Sequence, residues 1–207
     1  MKKIAVLASG GGTNFQAIID GCTNGLIKGK VALLIYNRKD AYAKKRAEHA
    51  GIKSVYVNRI AEGSIKAMEQ KVYDELISAD IDIIVLAGYL EKLSSQVVQK
   101  WQNKIINTHP SLIPMFCGEG FYGEKVHKAV IDNGVKVSGC TIHLVDANYD
   151  TGPIIMQYAV EVKQDDSPKT LAQRILPHEH ECLVSSVSLL CEDRILVNNS
   201  RVNIISK

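Results

Sequence analysis

The first half of the chain alternates short apolar runs with longer stretches in which apolar residues recur every three or four positions. The short runs are rich in β-branched residues and predict buried strands, and the longer stretches predict amphipathic helices. Strands are predicted at 4–8, 31–36, 55–57, 83–87 and from 104 onward, and helices at 15–22, 41–50, 64–80 and within 89–101. Because strands and helices alternate up to Pro110, the first proline, a parallel sheet covered on both faces is predicted.

The second half is predicted to extend this sheet. A helix is predicted at 123–133, and two long strands at 135–145 and 154–162 are predicted to pair antiparallel across a short connection. The predicted fold class is therefore α/β, with a mostly parallel, doubly wound, Rossmann-like sheet and an antiparallel extension in the C-terminal half. No repeat, low-complexity segment or linker interrupts the chain, so one domain is expected over residues 1–207.

A long helix and a hairpin are predicted to end the chain. Ser167 and Pro168 are suited to the N-cap and the first helical position. Pro177 lies inside the same helical pattern and is predicted to kink or interrupt it. The hairpin is predicted to turn around Asn198-Asn199.

The composition is that of an ordinary globular protein, with 46% hydrophobic and 23% charged residues. The net charge is only +3 and no dense basic stripe with interleaved aromatic residues occurs, so no nucleic-acid partner is expected. No apolar run reaches the length of a membrane span or a signal peptide, so no membrane association is expected. One basic run is interpreted as the solvated face of a helix: Arg38, Lys39, Lys44, Lys45 and Arg46.

The cysteines indicate neither a disulfide framework nor a zinc site, because their number is odd and no Cys-x-x-Cys pair occurs. They are Cys22, Cys117, Cys140, Cys182 and Cys191. Free thiols fit a reducing compartment, so a cytoplasmic location is expected. His178 and His180 lack the i, i+4 spacing of a helical zinc pair, and no metal is predicted.

A polar, proline-framed loop follows the fifth predicted strand. Asn107 and His109 are two positions apart, so on an extended backbone their side chains point the same way. Pro110 keeps His109 extended, and Pro114 keeps the following loop from becoming helical. The pair offers an amide donor and a group that exchanges protons near neutral pH. The alternative interpretation is a strand end whose polar residues only satisfy turn hydrogen bonds.

A glycine-rich loop lies between the first strand and the first helix, where backbone N–H groups and the helix N-terminus form an anion site. Gly10 and Gly12 fit the start of a dinucleotide motif, but Phe15 occupies the position of its last glycine. No Gly-Lys-Ser/Thr follows, which excludes a P-loop. Thr13 and Asn14 add side-chain donors, so a phosphate monoester is the favoured ligand.

A third polar segment connects the two long antiparallel strands and contains Asp146 and Asp150. Asp146 is interpreted as a turn residue. If the segment folds toward His109, Asp150 is expected to orient the imidazole and raise its pKa. His143, on the preceding strand, is compatible with a buried, hydrogen-bonded core histidine.

No covalent nucleophile is evident, because the chain contains no Gly-x-Ser-x-Gly segment and no cysteine beside a histidine. The residues therefore predict direct group transfer between two bound substrates. In such a reaction Asn107 would stabilise an oxyanion, and His109 and Asp150 would manage protons.

Four stretches together resemble the phosphoribosylglycinamide formyltransferases, a family of the formyltransferase superfamily. They are residues 8–15 (ASGGGTNF), 86–90 (LAGYL), 106–114 (INTHPSLIP) and 150–155 (DTGPII). His-Pro-Ser-Leu-x-Pro is typical of the superfamily, and the glycine loop and chain length favour this family within it.

The resemblance implies formyl transfer from 10-formyltetrahydrofolate, as co-substrate, to the amine of 5′-phosphoribosylglycinamide in purine biosynthesis. It implies a nucleotide-binding half at 1–110, a folate-binding half at 111–207, and a monomer or homodimer. The implied catalytic residues are Asn107, His109 and Asp150. Those implied for phosphoribosylglycinamide are Gly11, Gly12, Thr13, Asn14 and Glu179, within a 176–179 segment. Those implied for the folate are Leu90, Glu91, Lys92, Leu93, Asn107, Asp146, Ala147, Asn148, Tyr149 and Asp150.

The chain departs from the family pattern at a few positions. Leu90-Glu91 replaces the usual Met-Arg, so an anion stands where a cation is expected on the folate side. Cys117 stands where proline is frequent, and Pro177 lies in the segment expected to hold the nucleotide. Another formyltransferase that uses 10-formyltetrahydrofolate, or a hydrolase of it, is the enzymatic alternative. Methionyl-tRNA formyltransferase would need a second, basic domain, and formyltetrahydrofolate hydrolase would need a regulatory domain before the first strand. A catalytically inactive phosphate-binding module is the non-enzymatic alternative.

Overall fold

The computed structural model describes residues 1–206. Its strands are β1 (Lys2–Ala8), β2 (Gly29–Tyr36), β3 (Lys53–Tyr56), β4 (Ile83–Leu86), β5 (Ile105–His109), β6 (Val137–Leu144), β7 (Ile154–Glu161), β8 (Ile195–Asn198) and β9 (Arg201–Ile204). Its helices are α1 (Thr13–Thr23), α2 (Ala43–His49), α3 (Ile65–Ser78), α4 (Ser95–Lys100), α5 (Glu124–Asp132) and α6 (Pro168–Cys191). Every predicted strand and helix is present, with its ends shifted by a few residues.

The central sheet has the strand order β3-β2-β1-β4-β5-β6-β7. Strands β1 to β5 are parallel, and β6 is antiparallel to both β5 and β7. This arrangement confirms the predicted doubly wound sheet with an antiparallel extension. The strand order reverses between β1 and β4, so the carboxyl ends of these strands border the crevice in which open α/β sheets bind ligands.

The alternation of side chains along β5 directs its residues to the two faces of the sheet. Ile106 belongs to the apolar core that α1, α2, α5 and α6 cover, and Ile105 belongs to the core under α3 and α4. By the same alternation Thr108 shares the face of Ile106, and Asn107 and His109 share the face of Ile105. One strand therefore delivers polar groups to both sides of the sheet.

Of the kink or interruption predicted at Pro177, the interruption is wrong, because helix α6 runs through this residue without a break. The helix begins at a capping box formed by Ser167 and Thr170, as the Ser-Pro sequence predicts. A proline inside a helix costs about 3 kcal/mol. Buried side chains on both sides of it, Leu171 and Leu183 among them, keep the helix on the sheet. No helix formed by residues 1–206 has the length and apolar character needed to cross a membrane.

The terminal hairpin turns one residue later than predicted. Asn198 pairs with Arg201, which leaves Asn199 and Ser200 as a two-residue loop. Both have positive φ, of 48° and 64°, and this pair of left-handed residues matches the right-handed twist of the hairpin strands.

Candidate active site

The glycine loop follows β1 and opens into the crevice with unpaired amides. Within residues 1–206, no N–H of residues 11–15 donates to a protein acceptor, and the first bond of α1 is from Gln16 N to the Gly12 carbonyl. Gly12 has φ 70°, and a Cβ on it would lie 2.8 Å from the Cβ of Ala43. A Cβ on Gly11 would meet no protein atom within 4 Å, so the space beside this glycine is open to a ligand. Five free amides at a helix N-terminus suit a phosphate group.

Helix α2 supports this loop from behind. Ala43 N donates to the Gly10 carbonyl at 3.2 Å, and Arg46 Nε donates to the Gly11 carbonyl at 2.9 Å. Arg46 Nη1 also donates to Gln16 Oε1 on α1 at 3.1 Å. Lys44 and Lys45 are exposed, as expected for a solvated helix face, but Arg46 is half-buried against the loop. The interpretation of this basic run as one solvated helix face was therefore wrong for Arg46, which is half-buried, and for Arg38 and Lys39, which are exposed but precede α2.

Glu179 joins the glycine loop to β5 from beneath. It is buried on α6, and its Oε1 accepts from Asn14 Nδ2 at 2.8 Å and from Thr108 Oγ1 at 2.7 Å. Both bonds fall on Oε1, so the other carboxylate oxygen has capacity for a ligand hydroxyl. Thr108 is a site residue that the sequence analysis missed. The sequence already placed Thr108 between Asn107 and His109 on the other face of the strand, and this polar position could have identified it.

His109 lies at the end of β5 with each ring nitrogen in a defined environment. Nε2 is 2.8 Å from the carbonyl oxygen of Phe116, which can only accept, so Nε2 carries a hydrogen. Nδ1 is 3.6 Å from Asp150 Oδ2. Burial lowers the pKa of His109, although the Phe116 carbonyl and the Asp150 carboxylate both raise it. The contribution of Asp150 thus has the predicted sign, but the net pKa lies below the ordinary value rather than above it.

Asp150 is held in the site by the loops on either side of it. Its backbone has φ 55°, and its Oδ2 accepts from the N–H of Gly118 at 2.8 Å. Its Oδ1 lies 3.5 Å from His143 Nε2 and accepts from Asn107 Nδ2 at 3.3 Å. Burial raises the pKa of Asp150, but its interactions with His143, Gly118 and His109 together lower it by more, so the carboxyl stays ionised. The structure thus brings the three predicted catalytic residues together.

Asn107 and His143 are direct neighbours across β5 and β6. His143 Nδ1 lies 2.8 Å from the Leu144 carbonyl and carries a hydrogen, so in the neutral ring Nε2 accepts from Asn107 Nδ2 at 3.1 Å. Both hydrogens of the Asn107 amide therefore have protein acceptors. His143 is buried and hydrogen-bonded, as one interpretation held, but it is also a member of the site.

The two segments expected to contact the folate lie side by side. Lys92 Nζ is 5.2 Å from the centre of the Tyr149 ring, and Leu90 N donates to Ser9 Oγ at 2.9 Å. Leu93 is buried in the core beneath them. Asp146 accepts from Asn148 N and from the hydroxyl of Thr151, which is the turn role predicted for it. Ala147, Asn148 and Tyr149 are exposed at the rim.

Cys117 precedes Gly118, whose N–H donates to Asp150, and its environment does not activate the thiol. Burial raises the pKa of its thiol, and the charge of Asp150 raises it further. The thiol donates to the Pro114 carbonyl at 3.3 Å. A thiol with a raised pKa is a poor nucleophile, which agrees with the prediction of direct transfer.

Comparisons with known proteins agree with this geometry. The family described as formyl transferase matches residues 2–187. The phosphoribosylglycinamide formyltransferase of Haemophilus influenzae is 35% identical over 97% of this chain and 92% of its own. The chloroplastic enzyme of Arabidopsis thaliana is 43% identical over 94% of this chain and 67% of its own, so this chain spans about two thirds of that relative. The glycinamide ribonucleotide transformylase 1 structure from Symbiobacterium toebii superposes with a TM-score of 0.94, at 39% identity over 100% of this chain and 95% of its own.

Proposed function

Because this chain belongs to the formyl transferase family, we propose that it transfers a formyl group from 10-formyltetrahydrofolate to the amine of 5′-phosphoribosylglycinamide. One observation carries the proposal: a loop of free amides and the Asn107, His109 and Asp150 group are connected through Glu179, which accepts from Asn14 beside the loop and from Thr108 between Asn107 and His109. The first suits a phosphate, and the second suits acyl transfer to an amine. The reaction would serve purine biosynthesis.

The phosphate of the nucleotide is assigned to the glycine loop, with Gly11, Gly12, Thr13 and Asn14 around it. The unpaired amides there supply donors, and the N-terminus of α1 adds a favourable dipole. Glu179 is assigned to the hydroxyl groups of the sugar, because one of its carboxylate oxygens accepts no hydrogen bond within residues 1–206. These contacts direct the amine end of the substrate toward the end of β5.

His109 and Asp150 are assigned to proton transfer. As the amine nitrogen bonds to the formyl carbon, the amine must lose a proton and the departing folate nitrogen must gain one. Nε2 of His109 is held by the Phe116 carbonyl, so Nδ1 is the nitrogen that exchanges its proton in the crevice. The ionised Asp150 lies 3.6 Å from Nδ1 and stabilises the protonated ring against the cost of burial. A positioned acid–base group contributes about 10²- to 10⁴-fold to a rate.

Asn107 is assigned to the negative charge that develops on the formyl oxygen. Its amide donates to His143 at 3.1 Å and to Asp150 at 3.3 Å. The bond to Asp150 is the longer, so its hydrogen is the one that turns to the oxyanion. His143 keeps the other hydrogen and fixes the plane of the amide. Loss of one such oxyanion donor costs about 10²- to 10³-fold in kcat.

The folate is assigned to the rim formed by residues 90–93 and 146–150. Leu90 and Tyr149 offer exposed apolar surface there, and Lys92 provides a cation for the acidic tail of the folate. Leu93 contributes through the core that supports this rim. A cytoplasmic location and a monomer or homodimer complete the proposal. The five free thiols support the location, and sedimentation velocity tests the oligomeric state.

The proposal is tested by measuring tetrahydrofolate release with both substrates present. Wild type is expected to release it only when the glycinamide nucleotide is added, and His109→Asn and Asn107→Ala are expected to lose at least about a hundredfold in kcat. His49→Asn is the matched control, because this histidine is exposed in the last turn of α2 and belongs to neither assigned binding region. Release of formate without the amine would indicate a hydrolase, and no turnover would indicate a phosphate-binding module.

A further inference from the structure

We propose that Arg46 is a positioning residue that sets the orientation of the Gly11–Gly12 peptide and thereby aims the Gly12 N–H at the phosphate of the substrate. The inference rests on the proposed function and deepens its phosphate site. The observation that points to it is the 2.9 Å hydrogen bond from Arg46 Nε to the Gly11 carbonyl.

The geometry of a peptide bond connects this contact to the crevice. In a planar trans peptide the C=O and the following N–H point in opposite directions. Arg46 and Ala43 hold the carbonyls of Gly11 and Gly10 toward α2. The N–H of Gly12 therefore points away from α2, and no acceptor within residues 1–206 receives it. A fixed carbonyl on one side of the peptide means a fixed donor on the other.

The loop needs this hydrogen bond to the Gly11 carbonyl because three consecutive glycines do not fix their own conformation. Glycine populates positive and negative φ about equally, so an unsupported Gly11–Gly12 peptide could turn its N–H away from the ligand. Ala43 leaves no room for a side chain at Gly12, where a Cβ would lie 2.8 Å from the Ala43 Cβ, and this packing restrains the end of the loop. Among residues 1–206, Arg46 alone donates a side-chain hydrogen bond to the Gly11 carbonyl.

Arg46 is held in place by its own neighbours. Nη1 donates to Gln16 Oε1 at 3.1 Å, and the guanidinium carbon lies 5.2 Å from the centre of the Tyr42 ring. The planar fork of arginine reaches the loop carbonyl and Gln16 together, which a lysine ammonium on a flexible stem does not reproduce. The guanidinium also places a permanent positive charge behind the phosphate loop. A charge effect and a positioning effect are therefore separable by substitution.

Arg46→Met and Arg46→Lys separate these effects, with Lys45→Gln as the matched control. Lys45 lies 5.5 Å from the same Tyr42 ring, carries the same charge and is exposed, without a hydrogen bond to the loop. Arg46→Met is expected to raise the KM for the nucleotide about tenfold or more, the scale of a lost charged hydrogen bond. The KM for the folate is expected to stay within about twofold in each variant, because no hydrogen bond or ion pair within residues 1–206 joins the folate rim to α2.

Arg46→Lys is the decisive variant. If positioning dominates, the nucleotide KM of Arg46→Lys stays raised although the positive charge is kept. An Arg46→Lys enzyme with the nucleotide KM of wild type, or a Lys45→Gln enzyme as impaired as Arg46→Met, would overturn the proposal in favour of a general field effect. If the Arg46 variants do not fold, Gln16→Met, which removes the second anchor of the guanidinium, is expected to raise the nucleotide KM in the same direction. An unchanged KM in Gln16→Met would then count against it.

A binding measurement keeps this inference distinguishable from the proposed reaction. Inorganic phosphate is titrated into the wild-type protein while the Gly12 amide is followed by NMR, and a saturable shift is expected that weakens in Arg46→Lys. If this shift is seen but the protein transfers no formyl group, the positioning role of Arg46 is supported and the proposed reaction is rejected. If wild type transfers the formyl group and Arg46→Lys binds phosphate as tightly as wild type, the proposed reaction is supported and the positioning role of Arg46 is rejected.

Discussion

Replacing Asp150 by asparagine removes one charge from the site with little change in shape. The new amide oxygen would keep the bond from the Gly118 N–H, which Asp150 Oδ2 now accepts at 2.8 Å. The new NH₂ group would then occupy the place of Oδ1 and face Asn107 Nδ2, from which Oδ1 now accepts at 3.3 Å. Two donors would oppose each other there. The substitution therefore removes the charge beside His109 and disturbs the amide of Asn107.

The size of the charge effect follows from the 3.6 Å between His109 Nδ1 and Asp150 Oδ2. Two unit charges at this distance interact by about 1 kcal/mol in bulk water and by about 5 kcal/mol at an effective dielectric constant of about 20. Both groups are mostly buried, with side-chain exposures of 5% and 11%, so the interaction is expected to exceed its value in bulk water. A loss of about 2.7 kcal/mol of transition-state stabilisation corresponds to about a hundredfold decrease in kcat.

The expected result for Asp150→Asn is a fall in kcat of about a hundredfold or more, with little change in the KM for the nucleotide. Burial already lowers the pKa of His109, and Asp150 is among the groups that raise it. Without Asp150 the pKa of His109 falls further. As the pH is raised, the ring therefore loses its proton at a lower pH than in wild type. The pH at which kcat declines is expected to move down with it.

The assay combines the pH dependence of kcat with an NMR titration of the His109 ring in wild type and variant. Both are expected to shift toward lower pH together. A titration that does not move while kcat falls would refute the charge argument and assign Asp150 to water or substrate directly. A kcat within a fewfold of wild type would remove Asp150 from the catalytic group altogether.

Three further predictions concern the two binding regions. Thr108→Val should raise the nucleotide KM about tenfold or more by removing the 2.7 Å bond to Glu179, and Thr108→Ser should restore it; equal KM values in both would contradict this. Gly12→Val should raise the nucleotide KM far more than the folate KM, because a Cβ there lies 2.8 Å from Ala43; equal effects would argue against phosphate binding at this loop. Glu91→Arg should lower the folate KM, chiefly at low salt, and an unchanged value would mean that residue 91 does not meet the folate tail.

The sheet was predictable because its strands are continuous apolar runs, which only burial on both faces explains. Asn107 and His109 were predictable for a local reason, since two positions on one extended strand share a face. Asp150 was identified as a candidate because of its place in a turn between two strands. Its distance from His109 depends on how that turn folds, which no local pattern contains.

The missed residues depend on register and packing. His143 stands beside Asn107 because of the pairing of β5 with β6, and a shift of one residue would have placed it on the other face. Arg46 looks like its exposed neighbours in sequence, and only the approach of α2 to the glycine loop distinguishes it. The net pKa of His109 depends on how deeply the ring is buried. Helix α6 continues through Pro177 because tertiary contacts outweigh a local preference.

The most direct test of the account follows a labelled formyl group. Purified protein is mixed with 10-formyltetrahydrofolate carrying ¹³C in the formyl group and with 5′-phosphoribosylglycinamide, and the nucleotide and the intact protein are examined by mass spectrometry. The label is expected on the glycinamide amine of the nucleotide and at no stage on the protein, at a rate that falls at least about a hundredfold in His109→Asn. Label recovered as formate, on the protein, or on the nucleotide at the same rate without His109 would contradict it.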